Sequence, residues 1–194
     1  MKRWIKCIFH GISQGLYELY LKKNNVSYGK KCFFQGWAHI YNIGKISLGD
    51  KVCINSGWKY NPIGGDMKTL LRVYKDAELC IGNNVGMSNV SMVVCEKITI
   101  GNGVQIGGGC KLYDTDFHPI NADARLQKKN ELTVNRPIVI EENVFLGAHC
   151  IILKGSHIGK GSVVGAGSVV AGTIPAGEIW AGNPARFLKK IYSC

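Results

Sequence analysis

The sequence predicts an all-β solenoid, because its aliphatic residues recur every six positions. Written in sixes from residue 140, the chain reads IEENVF, LGAHCI, ILKGSH, IGKGSV, VGAGSV and VAGTIP. The first position is always aliphatic, the second is often glycine and the fifth is mostly small. An amphipathic helix repeats about every 3.6 residues and a simple strand about every two, so a period of six fits neither. Three such units would close one triangular coil that stacks on the next.

The same register returns upstream, which sets the extent of the solenoid. It appears as LGDKVC at 48–53, IGNNVG at 81–86 and IGNGVQIGGGCK at 100–111. The first and fifth positions are predicted to point inward, and glycine allows the chain to turn at the corners. We therefore predict a parallel β-helix over 26–181, an N-terminal amphipathic helix over 1–25 and a short C-terminal helix over 182–194.

The first 25 residues predict an amphipathic helix rather than a membrane span. Apolar residues recur at steps of mostly three and four, interrupted by Gly11 and Gly15; they are Trp4, Ile8, Ile12, Leu16, Leu19 and Tyr20. No continuous apolar run and no small-residue cleavage site accompany them, which argues against a signal peptide. The helix is expected to pack on the solenoid, or to touch an anionic membrane face through Lys2, Arg3 and Lys6.

Charge and cysteine usage narrow the choice of partners and compartment. A formal net charge of +11 favours an anionic partner, which leaves nucleic acid, a membrane surface and a phosphorylated cofactor open. Nucleic acid is disfavoured because no helix-turn-helix, zinc-finger or aromatic RNA-binding signature is present. The eight cysteines are scattered singly without a CxxC pair, so reduced thiols and a cytoplasmic location are predicted.

Two interruptions break the repeat, and the second carries the residues suited to catalysis. They are predicted as insertions near 56–80 and 113–139, and the second begins with YDTDFHPI. His118 lies there between Phe117 and Pro119, whereas His10, His39, His149 and His157 fall on the helix, before the repeat or inside regular hexads. Imidazole can accept a proton from an attacking hydroxyl or amine near neutral pH.

Two aspartates accompany that histidine. Asp114 or Asp116 could orient the ring or hold acceptor hydroxyls, and the sequence does not separate these roles. Without a Ser-His-Asp signature, direct attack on a thioester is favoured over an acyl-enzyme intermediate.

These motifs resemble the hexapeptide-repeat acyltransferases, whose fold is a left-handed parallel β-helix. The DTDFHP loop, the return RPIVIEENVFLGAHC and the end IPAGEIWAGNPARFLKKI are similar to the maltose and galactoside O-acetyltransferases, and most similar to those of capsular or exopolysaccharide synthesis. The resemblance implies acetyl-CoA as acyl donor, no metal, a saccharide acceptor and a homotrimer with sites between subunits. Left-handed crossovers are an exception to the general rule for parallel strands.

The resemblance also implies roles for particular residues. His118 matches the general base, and Ser88 or Asn89 in GMSNVSM matches a residue that approaches the thioester. Ala148 and Ala166 match small residues lining the coenzyme A groove, and Arg186 and Lys189 match basic residues near the adenosine phosphates. Where relatives often have Thr-Lys after the last hexad, this chain has Ala171-Gly172, which puts one phosphate contact in doubt.

Other functions stay open at this point. The same scaffold serves N-acetyltransferases of nucleotide-linked amino sugars and serine acetyltransferases. A zinc enzyme of the carbonic anhydrase type would need three histidines; His118 and His149 could contribute, and the third has no evident source. A non-catalytic docking solenoid is the third alternative, although it would not need the DTDFH insertion.

Overall fold

The computed structural model describes residues 14–191, and within them the chain forms a three-sided parallel β-helix. The strands, numbered along the chain, are β1 Val26–Tyr28, β2 Phe33–Gln35, β3 His39–Asn42, β4 Lys45–Leu48, β5 Cys53–Asn55, β6 Leu70–Val73, β7 Glu78–Ile81, β8 Gly86–Ser88, β9 Ser91–Val94, β10 Lys97–Ile100, β11 Gln105–Ile106, β12 Lys111–Tyr113, β13 Ile138–Ile140, β14 Phe145–Leu146, β15 Ile151–Leu153, β16 His157–Ile158, β17 Val163–Val164, β18 Val169–Val170, β19 Thr173–Ile174, β20 Glu178–Ala181 and β21 Arg186–Lys190.

Every third strand joins the same sheet, which is the arrangement that a six-residue period predicts. Among the described residues, sheet one has seven strands from β1 to β19, sheet two has eight from β2 to β21, and sheet three has six from β3 to β18. All neighbours pair in parallel except β20 and β21, which pair antiparallel. Each coil therefore crosses sheets one, two and three in that order.

The core is a stack of the repeated positions. The aliphatic first residues of the hexads from 140 to 170 are all 2% exposed or less; they are Ile140, Leu146, Ile152, Ile158, Val164 and Val170. The fifth positions are equally buried, and the serines among them donate to main-chain carbonyls, as Ser156 does to Val170 at 3.1 Å. Burying each aliphatic side chain stabilises the coil by about 1.5–3 kcal/mol, which explains why the period persists.

An N-terminal helix, α1, covers the first coil and is helical over 14–23. Tyr17 and Leu21 are buried, and the ring of Tyr17 stacks on Phe34 at a centroid distance of 4.6 Å. Leu16 and Leu19, predicted to lie on the packed face, are 52% and 63% exposed. That part of the prediction is wrong, because Tyr17 stacking rotates the helix so that both leucines face outward. The other predicted helix residues, Trp4, Ile8 and Ile12, and the basic Lys2, Arg3 and Lys6, lie outside the described residues.

Two loops interrupt the coils at different corners. The first occupies residues 56–69 between β5 and β6 and contains a short 3₁₀ turn at Pro62–Gly64. The second occupies residues 114–137 between β12 and β13 and contains α2 (Ala122–Leu126) and a 3₁₀ turn at Asn130–Leu132. The first insertion is shorter than predicted, because residues 70–80 re-enter the solenoid as β6 and β7 although they lack the glycine of the hexad pattern.

The predicted C-terminal helix is also wrong. Arg186–Lys190 forms β21, which pairs with β20 and places Phe187 opposite Trp180. The edge of β20 offers unpaired main-chain groups at the end of sheet two, and pairing satisfies them better than a separate helix would.

Two further predictions concern cysteines and membranes. The six cysteines within the described residues are free thiols, and Cys110 and Cys150 lie in the core. Cys7 and Cys194 lie outside this part of the chain. Over residues 14–191, no helix combines the length and apolarity that crossing a bilayer requires.

Candidate functional site

His118 lies on the second loop, 114–137, which leaves the solenoid at the corner between sheets three and one. Its side chain is exposed, and within residues 14–191 it has no hydrogen bond or ion pair. The imidazole is therefore free to accept a proton from a bound molecule.

The backbone on both sides of His118 is held in place. Phe117 adopts φ +62°, and its N–H donates to the hydroxyl of buried Thr115 at 3.1 Å. After the histidine, Arg125 of α2 donates to the carbonyl of Pro119 at 3.0 Å and also to that of Ile120. The loop thus presents an unbonded imidazole on a fixed turn. Thr115 and Arg125 were missed by sequence reasoning, because Thr115 is an uncharged residue within DTDFHP and Arg125 lies outside that motif.

Asp114 shapes the start of this loop and does not reach a substrate. Its side chain is fully buried, and its two oxygens accept the backbone N–H groups of Cys95 at 2.7 Å and Glu96 at 2.9 Å. Burial raises the pKa of the Asp114 carboxyl, and the hydrogen bonds from these N–H groups oppose that rise. The carboxylate ties the loop to the turn of the preceding coil, so a catalytic role for Asp114 does not fit its position.

Asp116 pairs with a lysine rather than with the histidine. Its Oδ1 lies 3.0 Å from Nζ of Lys154, which follows β15 in the next coil. Its Oδ2 is buried and has no partner among the described residues, and the same is true of Oγ1 of Thr133. Neither aspartate hydrogen-bonds His118 within residues 14–191. The three residues are therefore neighbours in the sequence, but their side chains do not form a hydrogen-bonded group.

Small residues stack at a different corner, between sheets two and three. There the N–H of Gly109 donates to Ser88, that of His149 to Gly108 and that of Gly167 to Ala148, at 3.3, 2.9 and 2.8 Å. We call this stack the corner column; it comprises 88–89, 108–109, 148–149 and 166–167. Ala148 is half-buried and Ala166 is exposed. The two alanines that were predicted to line a cofactor groove are therefore neighbours on one surface.

The two candidate thioester contacts in the corner column have different environments. Asn89 is fully buried, and its amide is used by the first loop: Oδ1 accepts from Gly57 N–H at 2.7 Å and Nδ2 donates to the Asn61 carbonyl at 2.8 Å. Ser88 accepts from the amide of Asn55 at 3.2 Å and opens into a cavity of about 310 Å³ on sheet two. Asn89 is consequently an anchor of the first loop, and only Ser88 can contact a ligand.

The predicted phosphate-binding residues both lie on β21. Arg186 lines a small cavity of about 130 Å³ with Ala171 and Gly172, at the last coil. Lys189 lies three residues further along β21, opposite Ile179, whereas Arg186 lies opposite Ala181. Ile179 and Ala181 are two residues apart on β20, and the β-bulge between the two pairs offsets the alternation of side chains, so Arg186 and Lys189 face the same side of the strand pair.

His118 and the corner column lie at opposite ends of the sheet three strands. The chain passes Cys110 at the corner column, crosses sheet three as β12 and reaches the second loop at Asp114. His118 and Ala148 of one chain therefore cannot line the same groove. His118 and His149 are separated in the same way, and within residues 14–191 no three His, Cys, Asp or Glu side chains cluster as metal ligands.

Comparison with known proteins agrees with this architecture. The family described as "Hexapeptide repeat of succinyl-transferase" matches residues 137–171. A hexapeptide-repeat acetyltransferase from Vibrio cholerae, solved in complex with acetyl-CoA, superposes with a TM-score of 0.62 at 25% identity, covering 93% of this chain and 79% of that one. The chain resembles the hexapeptide-repeat acyltransferases. This confirms the resemblance predicted from the sequence and the left-handed parallel β-helix that it implies.

Curated relatives with described activities match shorter stretches. Galactoside O-acetyltransferase of Lactococcus lactis is 41% identical over 103 residues, which is 53% of this chain and 48% of the relative. An N-acetyltransferase of Clostridium perfringens that acts on 2,3,4,5-tetrahydropyridine-2,6-dicarboxylate is 53% identical over 55 residues, or 28% of this chain and 23% of the relative. The chain spans about half the length of the first of these relatives.

Proposed function

We propose that the protein transfers an acetyl group from acetyl-CoA to a hydroxyl of a saccharide, with His118 as the general base. The observation that carries the proposal is the exposed, unbonded imidazole of His118, held on a fixed turn of a hexapeptide solenoid. The Vibrio relative solved with acetyl-CoA and the Lactococcus galactoside O-acetyltransferase support this choice of donor and acceptor.

The chemistry requires little beyond that histidine. The acceptor hydroxyl attacks the thioester carbonyl, and its proton passes to the imidazole as the new C–O bond forms. Coenzyme A leaves as a thiolate that takes a proton, which returns His118 to its neutral form. General-base assistance of this kind is worth about a hundredfold to ten-thousandfold in rate.

We place acetyl-CoA along the corner column, at Ala148 and Ala166. A long pantetheine chain needs backbone groups that it can approach closely, and Ala148 and Ala166 leave the backbone accessible there. Ser88 lies at the same corner, two coils before Ala148, where its hydroxyl can face the thioester end. The positively charged chain suits an anionic cofactor.

We further propose that each site is built from two chains. His118 and the corner column are at opposite ends of sheet three, so a second copy must bring its own loop to the corner column of the first. A closed ring of head-to-tail contacts satisfies this requirement for every copy, and a homotrimer is the smallest ring in which three flat faces meet. We also propose a cytoplasmic location, which the free thiols support.

An amine acceptor is the second candidate. It is favoured by the Clostridium N-acetyltransferase, which has the higher identity over its shorter match. The base and the donor site would be the same, and the acceptor alone would differ.

Calorimetric titration with acetyl-CoA tests the proposal without knowledge of the acceptor. We expect saturable binding near one per chain at moderate salt, tighter than ADP, and weakened at least tenfold in Ala166→Trp because the indole would occupy the proposed groove. Ala176→Trp, at an exposed alanine between β19 and β20, serves as the matched control outside the corner column. Binding no tighter than ADP would reject the proposed donor, and unchanged affinity in Ala166→Trp would remove the corner column from its site.

A further inference from the structure

The first loop, residues 56–69, borders a cavity that has no role in the reaction as proposed above. Its base is fixed: Ser56 donates to the Trp37 carbonyl at 2.8 Å and accepts from Thr69 N–H at 3.1 Å, and Thr69 donates to the Asn55 carbonyl at 3.0 Å. The buried amide of Asn89 bonds the loop at Gly57 and Asn61. Because both ends and the middle are anchored, the far side of the loop stands as a fixed wall beside sheet three.

The cavity lies between that wall and the outer face of sheet three. Its volume is about 420 Å³, and it is lined by His39, Asp66, Met67, Lys68, Leu70 and Ser91. His39, Leu70 and Ser91 are paired in register on β3, β6 and β9, and the residue after each of them is buried in the core. Since side chains alternate across a strand, these three face outward into the cavity.

The lining groups suit a molecule that has many hydroxyls. An imidazole, a carboxylate, an ammonium and a hydroxyl supply both donors and acceptors, while Met67 and Leu70 supply an apolar floor. Within residues 14–191, the side chains of His39, Asp66, Lys68 and Ser91 form no hydrogen bond or ion pair. His39, Asp66 and Lys68 are exposed and available to a ligand, whereas Ser91 is 4% exposed at the base of the cavity. Asp66 and Lys68 have opposite charges, so the cavity does not favour a strongly charged ligand. Its size falls in the usual range for small-molecule sites.

The position of the cavity connects it to the proposed reaction. Ser91 is two residues beyond Asn89 of the corner column, and the loop that forms the wall is anchored on Asn89 itself. Gly64 of this loop packs against Asn89 and Gly108, so the loop covers that part of the corner column. A donor bound along the corner column would reach the loop with its thioester end, and a molecule in the cavity would lie on the sheet three side of the same loop.

We propose that this cavity binds the acceptor, and that the acceptor is a neutral saccharide. The inference rests on the proposed acetyl transfer, and it assigns to the first loop the task of selecting the sugar. Asp66 accepts hydrogen bonds from sugar hydroxyls, Lys68 donates to them, and the ring packs on Met67 and Leu70.

Binding can be measured without any donor. Saturation-transfer NMR would be recorded with methyl α-glucoside, methyl β-galactoside, methyl N-acetyl-β-glucosaminide and maltose, with glucose 1-phosphate as the charged comparator. We expect a signal from at least one neutral glycoside, and loss of that signal in Met67→Trp, which fills the cavity from its exposed wall. No signal from any neutral glycoside, or an equal signal in Met67→Trp, would overturn the inference.

Turnover gives the second readout. With the glycoside that binds, CoA release is expected to show a KM about tenfold higher in Asp66→Ala, because a hydrogen bond to a charged group is lost, while kcat and the KM for acetyl-CoA stay within twofold. Asp76→Ala, which removes an exposed carboxylate from a turn away from the cavity, is the matched control. An unchanged glycoside KM in Asp66→Ala would contradict the assignment.

The two proposals fail separately. If acetyl-CoA does not bind but the glycoside signal is still lost in Met67→Trp, the proposed reaction is wrong and the saccharide site stands. If acetyl-CoA binds, but every acceptor that is acetylated has the same KM in the wild type, in Met67→Trp and in Asp66→Ala, the proposed reaction is correct and the cavity is not its acceptor site.

Discussion

The two loops that interrupt the solenoid are anchored at different places. The first loop is anchored at both ends and in the middle: Ser56 and Thr69 hydrogen-bond at its base, and the fully buried amide of Asn89, from the next coil, bonds Gly57 and Asn61. The second loop is fastened at its entry by Asp114 and through α2 by Arg125, and it leaves the ring of His118 unbonded.

The difference separates structural from chemical roles among polar residues. A buried polar group must be paired, so Asn89 and Asp114 cannot be removed without cost to the fold. An exposed group that has no partner contributes little to stability, and His118 is such a group. The comparison therefore predicts that the residues of the same motif will respond differently to substitution.

The largest effect is expected at His118. His118→Ala should lower turnover with a saccharide acceptor by about a hundredfold or more, since the general base is lost, and should leave the melting temperature and acetyl-CoA affinity unchanged. Steady-state CoA release, calorimetry and thermal melting measure the three quantities. Near-normal turnover would remove His118 from catalysis, and a large loss of stability would contradict its unbonded environment.

Next in size is the effect on stability at Asn89. Asn89→Ala leaves the partly buried N–H of Gly57 and carbonyl of Asn61 without their partner and places alanine at φ +51°, so the free energy of unfolding should fall by about 3 kcal/mol. Asn84→Ala is the control, because Asn84 has φ +56° but an exposed side chain. Chemical denaturation of both variants separates the backbone strain from the lost amide. Equal losses in the two would mean that the amide does not anchor the first loop.

A smaller loss is expected at Asp114. Asp114→Asn keeps one acceptor oxygen but turns an N–H₂ group toward the second backbone N–H, which should cost about 2 kcal/mol. Asp50→Asn is the matched control, since Asp50 accepts from Lys30 N–H at 2.7 Å on the exposed surface. If Asp114→Asn is as stable as the control, the buried carboxylate does not fasten the second loop.

Sequence periodicity predicted the regular coils well and the departures from them poorly. The aliphatic first positions could be recognised because each coil buries the same residue type, as Ile140, Leu146 and Ile152 show. Residues 70–80 were not recognised as part of the solenoid, because no glycine follows Leu71 of β6 or Leu79 of β7, although both leucines are buried in the core. The C-terminal strand was missed because its pairing with β20 is a tertiary contact that no local pattern encodes.

The candidate site was predicted in part for a similar reason. The DTDFH motif identified the loop and its histidine, but it did not separate the roles of Asp114 and Asp116. Burial separates them: Asp114 is inside the protein, Asp116 pairs with Lys154 from another coil, and His118 is exposed. Burial and contacts between coils depend on the whole fold, so the sequence motif could not distinguish these roles.

The central claim is that His118 of one copy works at the corner column of another, and subunit mixing tests it directly. His118→Ala and Ala166→Trp would be co-expressed with different affinity tags, and assemblies containing both would be purified through both tags in turn. Each variant alone should have little activity at an acetyl-CoA concentration near the wild-type Kd. A trimer that carries both tags has two subunits of one variant and one of the other, so roughly a third of its sites would combine an intact His118 with an intact corner column, and activity should return in about that proportion. Activity no higher than that of the separate variants would contradict a site shared between chains.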